Sequence, residues 1–201
     1  MHPSRSFAWN DRDEMLAFVA EMAFATIFVA GPHGNHVVHV PVVSHGPGAL
    51  RFHVARTNAA TNGMDGAQAL LSSTGCDAYI SPDWYETPNQ VPTWNYVAVE
   101  VEGQLKRLND EELVTQLDAL SAVHEARLAP KRPWTRAKMQ PGSFEAMTRG
   151  IVGFELGIDA VRGTRKLSQN KQPADREGVL AALRVGGQSD MACLIAEAAR
   201  K

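Results

Sequence analysis

Cysteine is nearly missing. Cys76 and Cys193 are the only two in 201 residues, and neither sits in a CxxC pair. A zinc knuckle and a dithiol redox pair are therefore unsupported, and although two cysteines allow one disulfide, reduced thiols in the cytoplasm are expected. No run approaches the ~18 consecutive apolar residues of a membrane span. The opening MHPSRSFAWNDRDE lacks the apolar core of a secretory leader. A strong charge of either sign is absent too, with 20 Lys and Arg against 22 Asp and Glu. Residues 1–100 carry four basic and nine acidic side chains and residues 101–201 carry 16 and 13, so the halves stand at −5 and +3. A stand-alone DNA-binding domain is more basic than this, and any DNA contact has to be local or arise from oligomerisation. Neither a Walker A loop, a GxGxxG turn, a GxSxG elbow nor an HExxH pair occurs. Five histidines (His33, His36, His39, His45, His53) fall within 21 residues. His36 and His39 are three apart on a strand and so point to opposite faces, which argues against a metal site.

What is present is an ordinary globular composition, 44% hydrophobic and 21% charged, in a chain sized for one domain with a helical elaboration. Asn10 caps a helix over about 11–22. ATIFVAG (25–31), HVVHVPVVS (36–44) and ALRFHVA (49–55) read as an antiparallel meander, with Pro41 at an edge or bulge. A short helix around 65–69, a strand at 69–73 and another at 77–82 follow. Residues 93–108 form one long strand with Gly103 at a bend or bulge. The clearest helix spans about 109–127, where Asn109 and Glu112 make a capping box. A short helix at 143–150, a strand at 151–161 paired with the long one, a polar loop at 163–176 and two terminal helices complete the order. The expectation is a mainly β chain of about six antiparallel strands closed into a small barrel, with peripheral and C-terminal helices. Residues 1–161 form the barrel domain with its inserted helix, and 162–201 a C-terminal loop and helical extension.

Three stretches offer chemistry. HVARTN (53–58) ends a strand in a guanidinium, a hydroxyl and an amide. Arg56 has the rigid donor fork that suits phosphate oxygens, with Thr57 and Asn58 beside it; an Arg facing water is the plain alternative. GTRKLSQN (163–170) sits in a locally basic segment, as does the run from Arg127 to Lys138; either is a solvated face or a contact for nucleic-acid backbone. VPTWNY (91–96) puts Trp94 and Tyr96 on one face of a strand and Asn95 on the other. Rings, amides and a phosphate-fit Arg together suggest a pocket for a planar phosphorylated ligand.

DAYISPDWY (77–85), VPTWNYVAVEVEG (91–103), IVGFELGI (151–158), KLSQNK (166–171) and DREGV (175–179) resemble the PaiB family, FMN-binding negative transcriptional regulators. The resemblance implies an antiparallel split β-barrel of the flavin-reductase and pyridoxamine-phosphate-oxidase type, a homodimer, and FMN at the subunit interface. Carried onto this chain, it implies cofactor contacts from His39, His53, Arg56, Thr57 and Asn58, with Arg56 as the phosphate clamp. Trp94, Asn95 and Tyr96 would line the cofactor or the dimer seam, and Lys166, Ser168, Gln169 and Asn170 would close the pocket. The chain departs from the family at Glu100, where a histidine is usual, and at TNAATN (57–62), which lacks the family's bulky residue. Three functions stay open: a flavin-containing regulator touching DNA through its basic loops, an FMN-dependent oxidoreductase, and a cofactor-free dimeric scaffold.

Overall fold

The computed structural model describes residues 2–31 and 34–200. His33 and the tip of its turn lie outside the described residues. Eight strands and five α-helices are found among the described residues: β1 (Ala8–Trp9), α1 (Arg12–Met22), β2 (Phe24–Gly31), β3 (Gly34–Ser44), β4 (Ala49–Ala55), β5 (Gln68–Ile80), β6 (Thr93–Arg107), α2 (Asp110–Ala126), α3 (Ser143–Thr148), β7 (Ile151–Gly157), β8 (Ala160–Lys166), α4 (Pro173–Val185) and α5 (Ser189–Ala198). The sheet order is β1-β8-β6-β5-β2-β3-β4-β7, and β6 also pairs with β7.

The chain divides into two compact units, and β5 and β6 run through both. The larger unit holds residues 16–73 and 100–161. There β5, β2, β3, β4, β7 and β6 close on themselves, because β6 pairs on both sides. Closure leaves no edge to be capped. Its interior is built from alternate residues such as Ile27, Leu50, Phe52, Leu71, Leu105, Phe154 and Leu156, all essentially inaccessible, with Phe52 and Phe154 stacked at 5.8 Å. Pro41 is at neither an edge nor a bulge. It sits where β3 leaves β2 (Phe24↔Pro41) and takes up β4 (Val42↔Phe52), the place in the strand where a missing N–H costs least. Gly103 is set by close approach: a Cβ there would lie 1.5 Å from the Gly157 carbonyl oxygen.

The smaller unit gathers residues 1–15, 74–99 and 162–201. Its core includes Ile80, Val97, Val99, Leu167, Val179, Leu183, Met191 and Ile195. Here the sequence reading needs its main correction. The expected strand at 151–161 ends at Gly157, and the start of the expected loop, residues 163–166, belongs to a separate strand, β8, paired with β1 (Ala8↔Thr164, Trp9↔Gly163). Its neighbour on the other side is β6, but the β1 partner is only two residues long, and Gly163 carries no side chain because Met15 and Trp9 fill that space. Neither feature leaves a period-2 apolar signal. The expected strands at 69–73 and 77–82 are one, β5, running through Thr74 and Gly75, and the short helix is a 3-10 turn at Ala59–Gly63. The α1 cap is Asp11, whose Oδ1 accepts from Glu14 N at 2.9 Å; the α2 capping box forms between Asn109 and Glu112 as expected.

α4 clamps the loop after β5. The buried Asp175 carboxylate accepts from the Glu86 and Thr87 amides, each at 2.9 Å, and from Thr87 Oγ1 at 2.8 Å. A Cβ at Gly178 would meet the Trp84 carbonyl oxygen at 2.1 Å, so only glycine lets the loop lie this close. The Thr87 amide, with help from its hydroxyl and the Glu86 amide, holds the Asp175 carboxyl below its ordinary value. A carboxyl lowered on folding stabilises the native state above its unfolded value, about 4, and the contribution is lost as pH falls through the lowered folded value. D175N should therefore flatten the dependence of Tm on pH below about 4, and D175A should speed amide exchange at Glu86 and Thr87. An unchanged acid slope in D175N contradicts the clamp.

Candidate functional site

In the barrel unit, β4 carries its chemistry to its C-terminal end. Arg56 leaves the strand with its amide on the Gly150 carbonyl at 2.8 Å. Its guanidinium is held by two more carbonyls, Nε to Arg149 O at 2.7 Å and Nη2 to Ile151 O at 2.9 Å. Three of the five guanidinium N–H bonds remain, and the side chain is exposed. A rigidly held Arg with an open fork meets an anion without first giving up rotamer freedom. Thr57 and Asn58 are exposed alongside it. Asn58 Oδ1 caps the following 3-10 turn through Ala60 N at 3.0 Å, and Thr61 Oγ1 donates to the Asn58 carbonyl at 2.7 Å, so the turn holding Arg56 is itself braced. His53, half-buried on the same strand, has Gln116 Nε2 at 3.4 Å from Nδ1. Burial pushes its imidazole below the ordinary value, against the Gln116 contact.

His39 belongs to a different surface. The outer face of β2, β3 and β5 reads Phe24–Pro41, then Thr26 between His39 and Ser72, then Phe28 between Val37 and Leu70. His39 Nδ1 and Thr26 Oγ1 are 3.1 Å apart. Around them Phe24 is 58% exposed, Phe28 43% and Val37 50%, an apolar patch that a sheet facing only water does not carry. Sequence reading missed this face, although its signal was available. In FATIFVAG both alternate sets are apolar, which period-2 alternation does not require.

In the smaller unit the structure joins two blocks that lie 73 residues apart. Asn95 is 1% exposed and its Nδ2 donates to Ser168 Oγ at 2.8 Å, while Trp94, on the opposite face of β6, is 51% exposed. Ser168 holds a left-handed backbone, φ 60°, a strained conformation for a residue with a Cβ. Gln169 bonds back to the Leu167 amide and the Arg165 carbonyl. Asn95, Ser168 and Gln169 are thus spent on fixing the turn. Trp94 Nε1 donates to Asp77 Oδ1 at 2.6 Å and its ring meets Tyr79 edge-on at 5.7 Å, leaving an indole face outward beside the half-buried Tyr96. Lys166 Nζ donates to Thr93 Oγ1, and Asn170 is exposed. The sequence alone assigns Asp77, Tyr79 and Thr93 no role, because each acts only through a partner that the fold supplies.

The basic runs are largely committed to their own units. Arg127 caps α1 through the Ala20 and Glu21 carbonyls, Lys131 pairs with Glu125, and Arg136 lies 3.2 Å from Asp118. Arg165 stacks 3.4 Å over Trp9 and bonds Glu14 at 3.0 Å. No helix among the described residues is long and apolar enough to cross a membrane.

Comparison with known proteins agrees with this architecture. The chain is 28% identical over 184 residues to the Bacillus subtilis "Protease synthase and sporulation protein PAI 2", covering 90% of this chain and 87% of that protein. Among solved structures, it superposes on the conserved hypothetical protein Rv2991 of Mycobacterium tuberculosis with a TM-score of 0.60, at 12% identity over 85% of this chain and 94% of that one. The FAD and heme binding protein of Mycobacterium smegmatis gives 0.58 at 16% identity, covering 79% and 73%. These likenesses carry the fold, a split β-barrel of the flavin-binding type. Residues 1–160 match the family described as "Putative FMN-binding domain". This PaiB-like chain belongs to that FMN-binding family, whose cofactor is FMN.

Proposed function

We propose that this chain works as an FMN-binding homodimer and, in that form, as a negative regulator of transcription. The observation that carries the proposal is Arg56, pinned by three backbone carbonyls with its remaining N–H bonds facing outward. Within the barrel unit, the residues at the end of β4 fit the cofactor's phosphate. Arg56, Thr57 and Asn58 offer cationic, hydroxyl and amide donors to a phosphate, and His53 stands on the same strand. In the smaller unit, taken by itself, the exposed Trp94 face with Tyr96 beside it suits a flat ring. Lys166 and Asn170 are the members of the 166–170 turn with donors still open. Bound FMN supplies reversible electron transfer, and the protein's part is to hold and orient it.

The test is direct. Purified protein, loaded with FMN and desalted, should keep flavin absorption between about 350 and 500 nm and release FMN on denaturation. Colourless protein that also leaves added FMN unquenched overturns the reading.

The outer face of β2, β3 and β5 supports the dimer, since a second copy would cover Phe24, Phe28 and Val37. F28K should shift the chain towards monomer in sedimentation while leaving its far-UV spectrum intact. A wild-type chain that sediments as a monomer removes the dimer from the proposal. The regulatory part draws on the PaiB-like resemblance. Direct repression requires duplex DNA to be retarded at low ionic strength and freed as salt rises. If no retardation occurs, direct repression is wrong while flavin binding stands.

A further inference from the structure

Two ammonium groups in the smaller unit end on one short segment. Lys166, the last residue of β8, donates from Nζ to Thr93 Oγ1 at 2.6 Å, and Lys171 donates to Gln90 Oε1 at 2.5 Å. Gln90 and Thr93 are three residues apart at the entry to β6. The turn between the two lysines makes the convergence possible: Ser168 takes its left-handed backbone, and Lys171 N reaches the Ser168 carbonyl at 3.0 Å. Each ammonium also lies against a ring. Lys166 Nζ is 5.7 Å from the Phe7 centroid, and Lys171 Nζ is 4.4 Å from that of Tyr85.

This arrangement leaves charge uncompensated. Among the described residues neither ammonium has a carboxylate at ion-pair distance. Asp175, which senses Lys171, is buried and already accepts three hydrogen bonds. Burial, then the charge of Lys171, holds the Lys166 ammonium below its ordinary value. Ring faces soften a cation without neutralising it. Two half-buried like charges on one turn, neither with a carboxylate partner, favour an anion. The Tyr85 hydroxyl is buried and also lacks a partner.

We infer that Lys166 and Lys171, seated against Phe7 and Tyr85 and beside Gln90 and Thr93, form a binding site for a small oxyanion, a phosphate or a carboxylate group. Each ammonium has two N–H bonds left after its contact with the 90–93 segment, free for charge-assisted bonds to an oxyanion. The site shares Lys166 with the proposed flavin contacts, but it needs no Arg56 and is tested on FMN-free protein.

Side-chain NMR of the lysine Cε and Nζ groups in the full chain tests it, with inorganic phosphate titrated at constant ionic strength against chloride. Saturable shifts of Lys166 and Lys171 are expected, with the Lys166 titration midpoint moving upward. K171Q should weaken phosphate binding about tenfold, as loss of one charge-assisted contact does, K166Q should do the same, and R56Q should leave it unchanged. A parallel titration with acetate tells the two sources apart: a stronger response to phosphate assigns the site to phosphate groups, a stronger response to acetate to carboxylates. Absence of saturable shifts with either anion overturns the inference. So does an equal response to chloride, or unchanged phosphate affinity in both K166Q and K171Q while their amide spectra stay folded.

Discussion

R56A should bind FMN about tenfold to a hundredfold more weakly than the wild-type chain, while its affinity for riboflavin stays within about twofold. The asymmetry follows from where the guanidinium is spent. Nε and Nη2 are engaged by the Arg149 and Ile151 carbonyls, so what remains for a ligand is a charge-assisted contact to an anion, worth about 1.5–3 kcal/mol. Riboflavin has no phosphate to lose. Truncation also frees those two carbonyls, but the site is exposed and water replaces the bonds at small net cost. Equal weakening of both flavins, measured by fluorescence quenching, means that Arg56 positions the loop and does not grip the phosphate.

The second large effect is structural. G103A should destabilise the barrel unit by more than about 3 kcal/mol or prevent its folding. A Cβ at 103 would stand 1.5 Å from the Gly157 carbonyl oxygen and 2.7 Å from its carbon, and the next atom, Asp159 N at 3.4 Å, is backbone too, so no flexible side chain can yield. The strands must then part where β6 meets β7, the pairing (Leu105↔Leu156, Lys106↔Glu155, Arg107↔Phe154) that closes the barrel. G48A is the control: nothing lies within 4 Å of a Cβ there, and its cost should stay within about 0.5 kcal/mol. Urea unfolding of the pair decides, and two variants equally close to wild type contradict the closure described here.

How much of this could be read beforehand depends on whether a residue acts locally. The α2 capping box needs only Asn109 and Glu112, three apart in sequence, and it is legible there. β8 is not legible, because its strand character rests on its neighbours β1 and β6 and on Trp9 and Met15 packing over Gly163. β5 was divided at Thr74 and Gly75 because polar and small residues imitate a turn. At the candidate site the blocks WNY and KLSQN each stand out, yet the bond from Asn95 to Ser168 spans 73 residues and belongs to tertiary structure alone. The role of Asp175 illustrates the same limit. Its position before a helical run reads as a terminus signal, whereas the fold uses it to fasten a loop some 90 residues earlier, through amides 88 and 89 positions away.

The central claim is that FMN is held by its phosphate through Arg56. Titrating the wild-type chain into FMN and, separately, into riboflavin at fixed ionic strength tests it most directly. The account predicts saturable quenching of FMN fluorescence with an affinity at least about tenfold above that for riboflavin. Identical affinities, or no quenching of FMN at all, contradict it.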